Sequence, residues 1–541
     1  MTANITNMGK HSGDVEATLA DLKKRNVVER IWKKDHTVWK PEPDEITNRL
    51  GWLTCIQQMR RQVDALTSFA SEVRESGFRH VVLLGMGGSS LGPEVLRQTF
   101  GSAGGYPELI VLDSTVPSRI MTVADSIDLA HTLFLVSSKS GTTIEPNSLF
   151  LYFESLVATA VGKENTGNNF IAITDPGTSL AELASAKRFR RTFINPPDIG
   201  GRYSVLSYFG LVPASLIGVD IAKLLDRAGR MQKECNEAIS LSANPGAGLG
   251  AVMGKLALSG LDKLTLFTSP SIGSLGLWIE QLIAESLGKD GKGIVPVAGE
   301  PFVDTERYGE DRLFVCLRVS NDDNSALDHV ISKLRLAGRP LVLLDMEDRY
   351  DLGAQFFHWE FATAIAGAIM GVHPFDQPNV QSAKQATENI LKEYIDTGEI
   401  HQSGGMDLPA SLLSGARSHN YLAVLAYVQQ TSQLDGVMSE FRRRIVDKFS
   451  LATTFGYGPR YLHSTGQLHK GGPNTGLYLL ITAQHESDIS ISGRPYSFSL
   501  LADAQAIGDL RALRTAGRRV ARVHLGRGDA AAISRLFHEL G

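Results

Sequence analysis

Hydrophobic and polar residues follow two different periods along this chain of 541 residues. Up to about residue 77, apolar residues recur every three or four positions, most clearly over residues 15–34 and 47–75, which predicts amphipathic helices. From residue 80 onward, short unbroken apolar runs alternate with helical patterns. Such runs are typical of parallel strands that helices cover on both faces. The pattern therefore predicts an α/β fold preceded by a helical N-terminal arm.

The predicted strands form two series. The first covers residues 81–84, 109–112, 133–136, 170–174 and 192–194, and the second covers residues 264–268, 294–297, 313–319 and 341–344. A last strand–helix–strand pattern, residues 476–525, weakly resembles residues 311–342, which we interpret as shared βαβ geometry while leaving a duplication open. We predict three segments: a helical arm at residues 1–75, a first α/β unit at residues 76–215, and a second unit at residues 216–541 with a C-terminal strand–helix–strand extension.

Composition limits the class of protein. Hydrophobic residues make up 43% and charged residues 21%, which is typical of a globular protein with a sizeable core. The net charge of −4 offers no electrostatic argument for a nucleic-acid or membrane partner. Cys55, Cys235 and Cys316 lie far apart without metal-ligand spacing, which suits a reducing compartment. The first residues lack the apolar core of a signal peptide, so we expect a cytoplasmic protein.

Two loops rich in glycine and hydroxyl groups each follow a predicted strand. The first is GMGGSSLGP at residues 85–93, and the second is SSKSGTTIEP at residues 137–146. Each leads into a helical pattern, where free backbone N–H groups favour an anion. The second loop adds four hydroxyls and the ammonium of Lys139, which suit a phosphate group on a small molecule. A plain βα turn that uses glycine for positive φ is the alternative, chiefly for the first loop.

Candidate catalytic side chains occur in two further segments. Gln281 and Glu285 are four residues apart in a helical pattern, so they share one face, where a partly buried carboxylate suits a general base. The alternative is an exposed ion pair between Glu285 and Lys289. Two glycines directly precede Arg202, which would let the backbone approach a ligand while the guanidinium faces it. A solvated loop arginine is the alternative there.

Two other patterns are less informative. The first loop does not fit a dinucleotide fingerprint, because Ser90 stands where glycine or alanine is needed and Asp113 lies too far along the chain. His463 and His469 occur in a polar, glycine-rich segment, but a separation of six residues suits no metal site on one helix. We therefore predict no metal site.

In this order the motifs resemble the phosphoglucose isomerase family, over most of the chain from about residue 50. The matching segments are residues 87–93 (GGSSLGP), 138–143 (SKSGTT), 200–202 (GGR), 281–289 (QLIAESLGK) and 375–378 (FDQP). The C-terminal third, including STGQLHKGGP at residues 464–473, is similar to the isomerase half of bacterial transaldolase–isomerase fusions. The resemblance implies a functional link to a transaldolase, either lost or separate.

The resemblance implies a fold and an activity. Its fold is two sugar-isomerase (SIS) domains, each a mainly parallel sheet between helices, usually assembled as a homodimer. Its activity is the interconversion of glucose 6-phosphate and fructose 6-phosphate in glycolysis and gluconeogenesis, without a metal or organic cofactor. Two alternatives stay open: a non-catalytic SIS-type sugar-phosphate-binding protein, which could dispense with Glu285 and Arg202, and an isomerase of broader specificity that includes mannose 6-phosphate.

The resemblance also implies roles for single residues. Glu285 would move a proton between C1 and C2, Arg202 would stabilise the enediolate, and Lys384 with a histidine would assist ring opening. Substrate contacts are implied at Gly88, Ser89, Ser138, Lys139, Ser140, Thr143, Gly201, Gln281 and Gln377.

Two departures from the family pattern affect the predicted site. The signature after Gln377 usually continues Gly-Val-Glu, whereas this chain has Asn379, Val380 and Gln381. The family's histidine normally follows the glutamate closely in Leu-His-Ser-x-Gly-Gln, but that pattern occurs here only at residues 462–467. We predict that this unit has moved in the chain but not in space, so that His463 opens the sugar ring. His469 is the second choice, and a chance match with His463 on the surface is the alternative.

Overall fold

The computed structural model describes residues 4–399 and 409–540, which form a short N-terminal arm and three layered α/β units. The arm contains β1 (Asn4–Asn7), α1 (Ser12–Lys24), α2 (Val27–Trp32), α3 (Trp52–Arg60) and α4 (Val63–Glu75). The first unit contains β2 (His80–Gly85), α5 (Leu91–Phe100), β3 (Glu108–Leu112), α6 (Pro117–Ser126), β4 (Thr132–Ser137), α7 (Ile144–Val161), β5 (Phe170–Thr174), α8 (Ser179–Ala186) and β6 (Arg191–Ile194).

Helices connect the first unit to the other two. They are α9 (Tyr208–Leu216), α10 (Ile221–Glu234) and α11 (Pro245–Leu258). The second unit contains β7 (Lys263–Thr268), α12 (Leu275–Leu287), β8 (Val295–Val297), β9 (Arg312–Val319), α13 (Ser325–Leu336), β10 (Leu341–Met346), α14 (Leu352–Met370), α15 (Pro378–Thr397) and α16 (Pro409–Ser414). The third contains β11 (Tyr421–Tyr427), α17 (Ser432–Phe449), β12 (Ala452–Tyr457), α18 (Gly466–Gly471), β13 (Gly476–Ala483), α19 (Phe498–Thr515), β14 (Arg519–Leu525) and α20 (Ala530–Leu540).

The first sheet is parallel, with strand order β3-β2-β4-β5-β6. Leu84 near the end of β2 lies between Leu112 of β3 and Val136 of β4. Helices cover both faces, which is why these strands are continuous apolar runs. Because β2 lies between β3 and β4, connections leave this point toward opposite edges of the sheet and create a crevice beyond the strand ends. The two glycine- and hydroxyl-rich loops both lie at this crevice.

The second sheet has strand order β1-β10-β9-β7-β8, and its four later strands are parallel. β1 pairs antiparallel with β10, so the N-terminal arm contributes an edge strand to the second unit. The sequence pattern missed β1 because four residues are too short to establish a period of two. The first α-helix of the arm therefore begins only at Ser12, after β1 and a short 3₁₀ turn.

The third sheet is parallel, with strand order β12-β11-β13-β14. The sequence pattern identified β13 and β14 as an extension of the second unit, whereas in the structure they share a separate sheet with β11 and β12. The missed strand β11 (YLAVLAY) is a short apolar run, which periodicity alone does not distinguish from a buried helix segment, and the missed strand β12 (ATTFGY) is interrupted by threonine and glycine. The α/β class with parallel sheets between helices is confirmed. The boundaries at residues 75 and 215 stay a prediction.

A buried ionic network joins the second and third sheets. The Glu300 carboxylate accepts hydrogen bonds from Arg312 Nη1 at 2.7 Å and from the backbone N–H of Thr453 at 2.7 Å. Arg442 donates from Nη2 to the carbonyls of Ala298 and Thr453, both at 2.8 Å. These side chains satisfy the backbone of edge strand β12 where no neighbouring strand pairs with it, and so attach the third unit to the second.

Helices α11 and α14 form the centre of the core between the first and second sheets. A Cβ on Gly250 of α11 would lie 2.6 Å from the carbonyl oxygen of Ala362 on α14, so only glycine permits this approach. The close packing fixes the direction in which α14 ends, just before the loop at residues 371–377 that enters the site. Within residues 4–399 and 409–540, no helix is long and apolar enough to span a membrane.

Candidate active site

The loop after β2 brings all three units together. A Cβ on Gly87, whose φ is +54°, would lie 2.8 Å from both Gln281 Nε2 and the carbonyl oxygen of His463. A Cβ on Gly88 would lie 2.0 Å from the carbonyl oxygen of Gly201. Glycine at both positions therefore allows the backbone to reach α12, the Arg202 loop and the segment before α18 at once. Ser89, in the same turn, is buried.

Gln281 and Glu285 lie on the inner face of α12, as their spacing predicts, and both are buried. Gln281 Nε2 donates to Glu285 Oε2 at 3.3 Å and to the carbonyl oxygen of His463 at 2.9 Å. Arg202 Nη1 lies 3.6 Å from the same carboxylate oxygen. Amide and guanidinium thus approach one oxygen of Glu285 from two directions, which restrains the carboxylate.

The Arg202 guanidinium is held on every side by the second unit. It donates from Nε to Ser286 Oγ at 2.8 Å, from Nη1 to Gln377 Oε1 at 2.8 Å, and from Nη2 to the carbonyls of Pro374 and Asp376 at 2.7 and 2.9 Å. A buried guanidinium with these acceptors has one orientation. The solvated-loop alternative for Arg202 is wrong, since the residue is 3% exposed.

The environment of Glu285 alters its protonation. Burial raises the pKa of this carboxyl, and the charges of Arg202 and His463 together with the Gln281 hydrogen bond only partly oppose that effect. The net pKa stays above the ordinary value for glutamate. A carboxylate whose pKa lies closer to neutrality is a better match for moving a proton to and from carbon.

Lys289 has a role that the sequence did not reveal. Its ammonium is buried and donates to Asp376 Oδ1 at 2.5 Å and to the carbonyl oxygens of His373 and Asp376 at 2.5 and 2.6 Å. Burial and the neighbouring Arg202 lower the pKa of Lys289 to about 7. The alternative of an exposed pair with Glu285 is wrong, because Lys289 instead supports the loop whose carbonyls hold Arg202.

His463 lies at the junction of the first and third units. Its Nε2 is 2.8 Å from Glu145 Oε1, and its carbonyl oxygen is the acceptor for Gln281. Glu145 stands in the first turn of α7, directly after the hydroxyl-rich loop. Burial raises the pKa of Glu145, but the charge and hydrogen bond of His463 outweigh it, and the net pKa is below the ordinary value. The surface alternative for His463 is wrong.

The other two candidates for ring opening differ in position. Lys384 is exposed on α15, and its charge contributes to the lowered pKa of Glu145. His469 is 1% exposed and lies among the rings of Tyr461 and Tyr478 in the core of the third unit. Burial lowers the pKa of His469 well below the ordinary value. The second choice, His469, is therefore a core residue and does not reach the site.

The hydroxyl groups of the second loop form local hydrogen bonds at the N-terminus of α7. Ser138 Oγ accepts from the backbone N–H of Gly141 at 3.2 Å and lies 3.1 Å from Thr143 Oγ1. Ser140 Oγ and Thr142 Oγ1 are 3.1 Å apart. Thr143 is the N-cap of this 18-residue helix but makes no side-chain cap bond. The first N–H groups of α7 therefore point toward the loop without a capping oxygen, as an anion site needs.

Lys139 is differently placed from its neighbours in this loop. Its ammonium forms an ion pair with Asp175 and donates to the carbonyl oxygen of Pro197 at 3.4 Å. Asp175 follows β5, so the pair fixes the loop to the next strand of the sheet. The charge of Lys139 is thus partly neutralised by Asp175.

Asn379, which departs from the expected signature, has a partner in the motif at residues 462–467. Its backbone N–H donates to Gln467 Oε1 at 2.9 Å, and Gln467 Nε2 donates to Asn379 Oδ1 at 2.8 Å. Gln467 Nε2 also donates to the carbonyl oxygen of Gly288 at 2.9 Å. The motif at residues 462–467 therefore binds both the end of α12 and the start of α15.

Sequence reasoning missed three residues around His463. Asp113 accepts from Arg460 Nε at 2.7 Å and Nη2 at 2.8 Å, so this aspartate holds the segment that carries His463. Glu145 belongs to the hydroxyl-rich loop motif at residues 137–146. Its position as an acid in the first helical turn after that loop could have marked it as a candidate. Gln505, on α19, had no signal in the sequence. Across the described residues, no group of three or more His, Cys, Asp or Glu side chains could hold a metal ion.

Comparisons with known proteins agree with this geometry. The sequence model of the family "Phosphoglucose isomerase" matches residues 43–291, which end just after α12. The glucose-6-phosphate isomerase of Rubrobacter xylanophilus is 30% identical over 378 residues, covering 61% of this chain and 87% of that protein. The enzyme of the same name from Leptospira biflexa is 29% identical over 384 residues, covering 62% of this chain and 84% of that protein.

Solved structures show the same fold. A glucose-6-phosphate isomerase from Chlamydia trachomatis superimposes with a TM-score of 0.59 at 18% identity, covering 71% of this chain and 87% of that one. The family model and both relatives carry the name of an isomerase that acts on a phosphorylated sugar. The chain belongs to the phosphoglucose isomerase family.

Proposed function

We propose that this chain interconverts glucose 6-phosphate and fructose 6-phosphate by proton transfer through an enediolate. The observation that carries the proposal is the buried Glu285 carboxylate with Arg202 Nη1 at 3.6 Å and Gln281 Nε2 at 3.3 Å. Abstraction of a proton beside a carbonyl needs a base and a cation for the developing oxyanion. The named activity of the relatives from Rubrobacter and Leptospira is the same.

Substrate binding begins at the phosphate. The hydroxyls of Ser138, Ser140 and Thr143 and the N–H groups at the start of α7 surround one anion site, with Ser89 on the neighbouring loop. The phosphate is remote from the reacting carbons, so its binding energy can serve to position the sugar. The sugar then extends toward α12, past the backbone of Gly88 and Gly201.

Ring opening precedes proton transfer in this mechanism. His463 moves a proton at the ring oxygen, and Glu145 on its Nε2 orients the imidazole and stabilises the cation. Lys384 supplies a positive charge from α15 on the same side. As the C1–O5 bond breaks, the ring oxygen takes the proton from His463 and water takes the proton of the C1 hydroxyl, which leaves the open-chain aldehyde and a free hydroxyl on C5.

Isomerisation then moves one proton from C2 to C1 and a second proton from the C2 hydroxyl to the C1 oxygen. Arg202 and Gln281 both approach Oε2 of Glu285, so we assign Oε1 to the substrate. Glu285 removes the proton from C2 and becomes neutral, and the electron pair forms the C1–C2 double bond with negative charge on the C1 oxygen. Arg202 stabilises this enediolate. Glu285 returns its proton to C1, and the proton of the C2 hydroxyl passes to the C1 oxygen, so the C2 oxygen becomes the carbonyl of the ketose.

The test is conversion of glucose 6-phosphate in D₂O, followed by NMR. We expect fructose 6-phosphate to form and deuterium to enter C2 of recovered glucose 6-phosphate. Binding of the sugar phosphate without conversion or exchange would instead identify a non-catalytic SIS-type protein. Mannose 6-phosphate in a parallel sample distinguishes a strict isomerase from one of broader specificity.

The proposal extends to the protein's setting. We infer a cytoplasmic homodimer that acts in glycolysis and gluconeogenesis and needs neither metal nor organic cofactor. The similarity of the C-terminal third to the isomerase half of transaldolase–isomerase fusions supports a functional link to a transaldolase. Light scattering at working concentration tests the homodimer. Assay of the chain after exhaustive chelation tests whether activity needs a metal.

A further inference from the structure

Glu145 has a second hydrogen-bond donor besides His463, and it comes from the third unit. Gln505 Nε2 donates to Glu145 Oε1 at 2.7 Å, and Thr115 Oγ1 donates to Gln505 Oε1 at 2.7 Å. Gln505 is 2% exposed and Thr115 is fully buried. The result is one continuous chain from Thr115 through Gln505 and Glu145 to His463.

The amide of Gln505 fits in only one orientation. Its Oε1 faces the Thr115 hydroxyl and its NH₂ group faces the ionised Glu145. The reversed amide would place two acceptors 2.7 Å apart with no proton between them. The acceptor-only carboxylate of Glu145 therefore selects the NH₂ group of Gln505, and the Thr115 hydroxyl satisfies the amide oxygen at the other end.

A donor aimed at a buried carboxylate favours its ionised form. The ionisable groups that face Glu145 are His463, Lys384 of α15 and Tyr427 of β11. With Glu145 ionised, His463 Nε2 carries the proton of their hydrogen bond. Its Nδ1 is then the ring nitrogen left for the sugar.

The loop after β3 controls this arrangement at two points. Asp113 binds Arg460, three residues before His463, and Thr115 binds Gln505. One short loop of the first unit thus restrains the segment that carries His463, through Arg460, and the carboxylate of Glu145, through Gln505. We propose that Gln505 is a positioning residue, which keeps Glu145 ionised and so sets the tautomer of His463. This inference rests on the proposed function.

The main test is the variant Q505L, which keeps the bulk of the side chain and removes the donor. We expect kcat on the cyclic substrate to fall about tenfold with little change in KM, since a hydrogen bond to a charged group is lost. The acid limb of the pH profile should move up by about one unit, because Glu145 then takes a proton at higher pH. Q484L, which changes an exposed glutamine of the third unit, is the matched control.

T115V removes the hydroxyl that donates to the amide oxygen of Gln505 and so restrains the side chain, and it should move the acid limb in the same direction by a smaller amount. A folded Q505L whose pH profile matches Q484L would overturn the inference. If Q505L does not fold, T115V decides, and an unmoved acid limb in that variant would overturn it equally.

Histidine ¹⁵N NMR separates this inference from the proposed function. The wild-type spectrum should show His463 with its proton on Nε2, and Q505L should show a mixture of tautomers, with H463A identifying the signal. A wild-type chain that fails to isomerise sugar phosphates would refute the proposed function alone. Identical His463 tautomers in wild type and Q505L would refute the role of Gln505 alone.

Discussion

His463 Nε2 lies 2.8 Å from Glu145 Oε1, although 318 residues separate the two along the chain. The glutamate stands at the start of a helix in the first unit, and the histidine precedes a short helix in the third. Their hydrogen bond joins the hydroxyl-rich loop at residues 137–146 to the motif at residues 462–467. The second unit joins them, because Gln281 donates to the carbonyl oxygen of the same histidine. All three units therefore meet at His463.

Replacement of the proposed base gives the most direct prediction. E285Q should lower kcat by roughly two to four decades while substrate affinity survives, because the amide keeps the shape but cannot accept the C2 proton. Steady-state kinetics and inhibitor binding measure the two effects. E280Q, a second buried glutamate of α12, is the matched control. Near-normal turnover of E285Q would remove Glu285 from the mechanism.

The phosphate site can be tested on its loop. S140A/T143A should raise KM for the sugar phosphate by about tenfold or more, since each hydrogen bond to a charged group contributes about 1.5–3 kcal/mol. S155A/T159A, which changes two exposed hydroxyls of α7, should leave KM unchanged. An unaltered affinity of S140A/T143A for a phosphorylated sugar acid would contradict this assignment.

A role for His463 in ring opening predicts selectivity between substrates. H463A should lose most activity on cyclic glucose 6-phosphate and little on an analogue that cyclises poorly, because only the first needs its ring opened. The exposed His538 supplies the control variant H538A. Equal losses on both substrates would point to a role for His463 in the proton transfer itself or in folding.

Glu280 predicts a pH dependence of stability. Burial raises its pKa to about 8, against an ordinary value of 4.5, although Arg442 and Arg460 oppose the shift. Between these two values the folded protein holds a proton that the unfolded chain has released, so this residue lowers stability as pH rises through that window. E280Q removes the effect. From pH 5 to pH 8 the free energy of unfolding of E280Q should rise relative to that of the wild type, by up to about 1.4 kcal/mol per pH unit. Its thermal midpoint should rise relative to the wild type over the same range.

The measurement is a series of melting curves for both proteins across this range. A difference in midpoint that stays constant from pH 5 to pH 8 would show that Glu280 has the same protonation in the folded and unfolded chains. The sign excludes an ordinary carboxylate ion pair, which would make the wild type gain stability as pH rises.

Much of the fold and site was readable from local pattern. Unbroken apolar runs indicate buried parallel strands, and spacing of four places Gln281 and Glu285 on one helix face. Glycine before a hydroxyl-rich helix start indicates an anion site, and Arg202 follows two glycines. Each of these inferences depends on residues within a few positions of one another, so the sequence alone was enough to predict the α/β class, the two loops and the candidate residues Glu285 and Arg202.

Tertiary structure decided the remainder. Whether Lys289 faces solvent or Asp376 depends on how the loop after α14 packs, and α14 is positioned by glycines of α11. That His463 reaches the site while His469, six residues on, is enclosed by tyrosines depends on the third sheet, half of whose strands had no distinctive period. Glu145 and Gln505 are 360 residues apart, and no local pattern encodes such a contact. The reason is that these contacts are made by the faces of already folded units, whose relative placement depends on core packing rather than on any segment's own period.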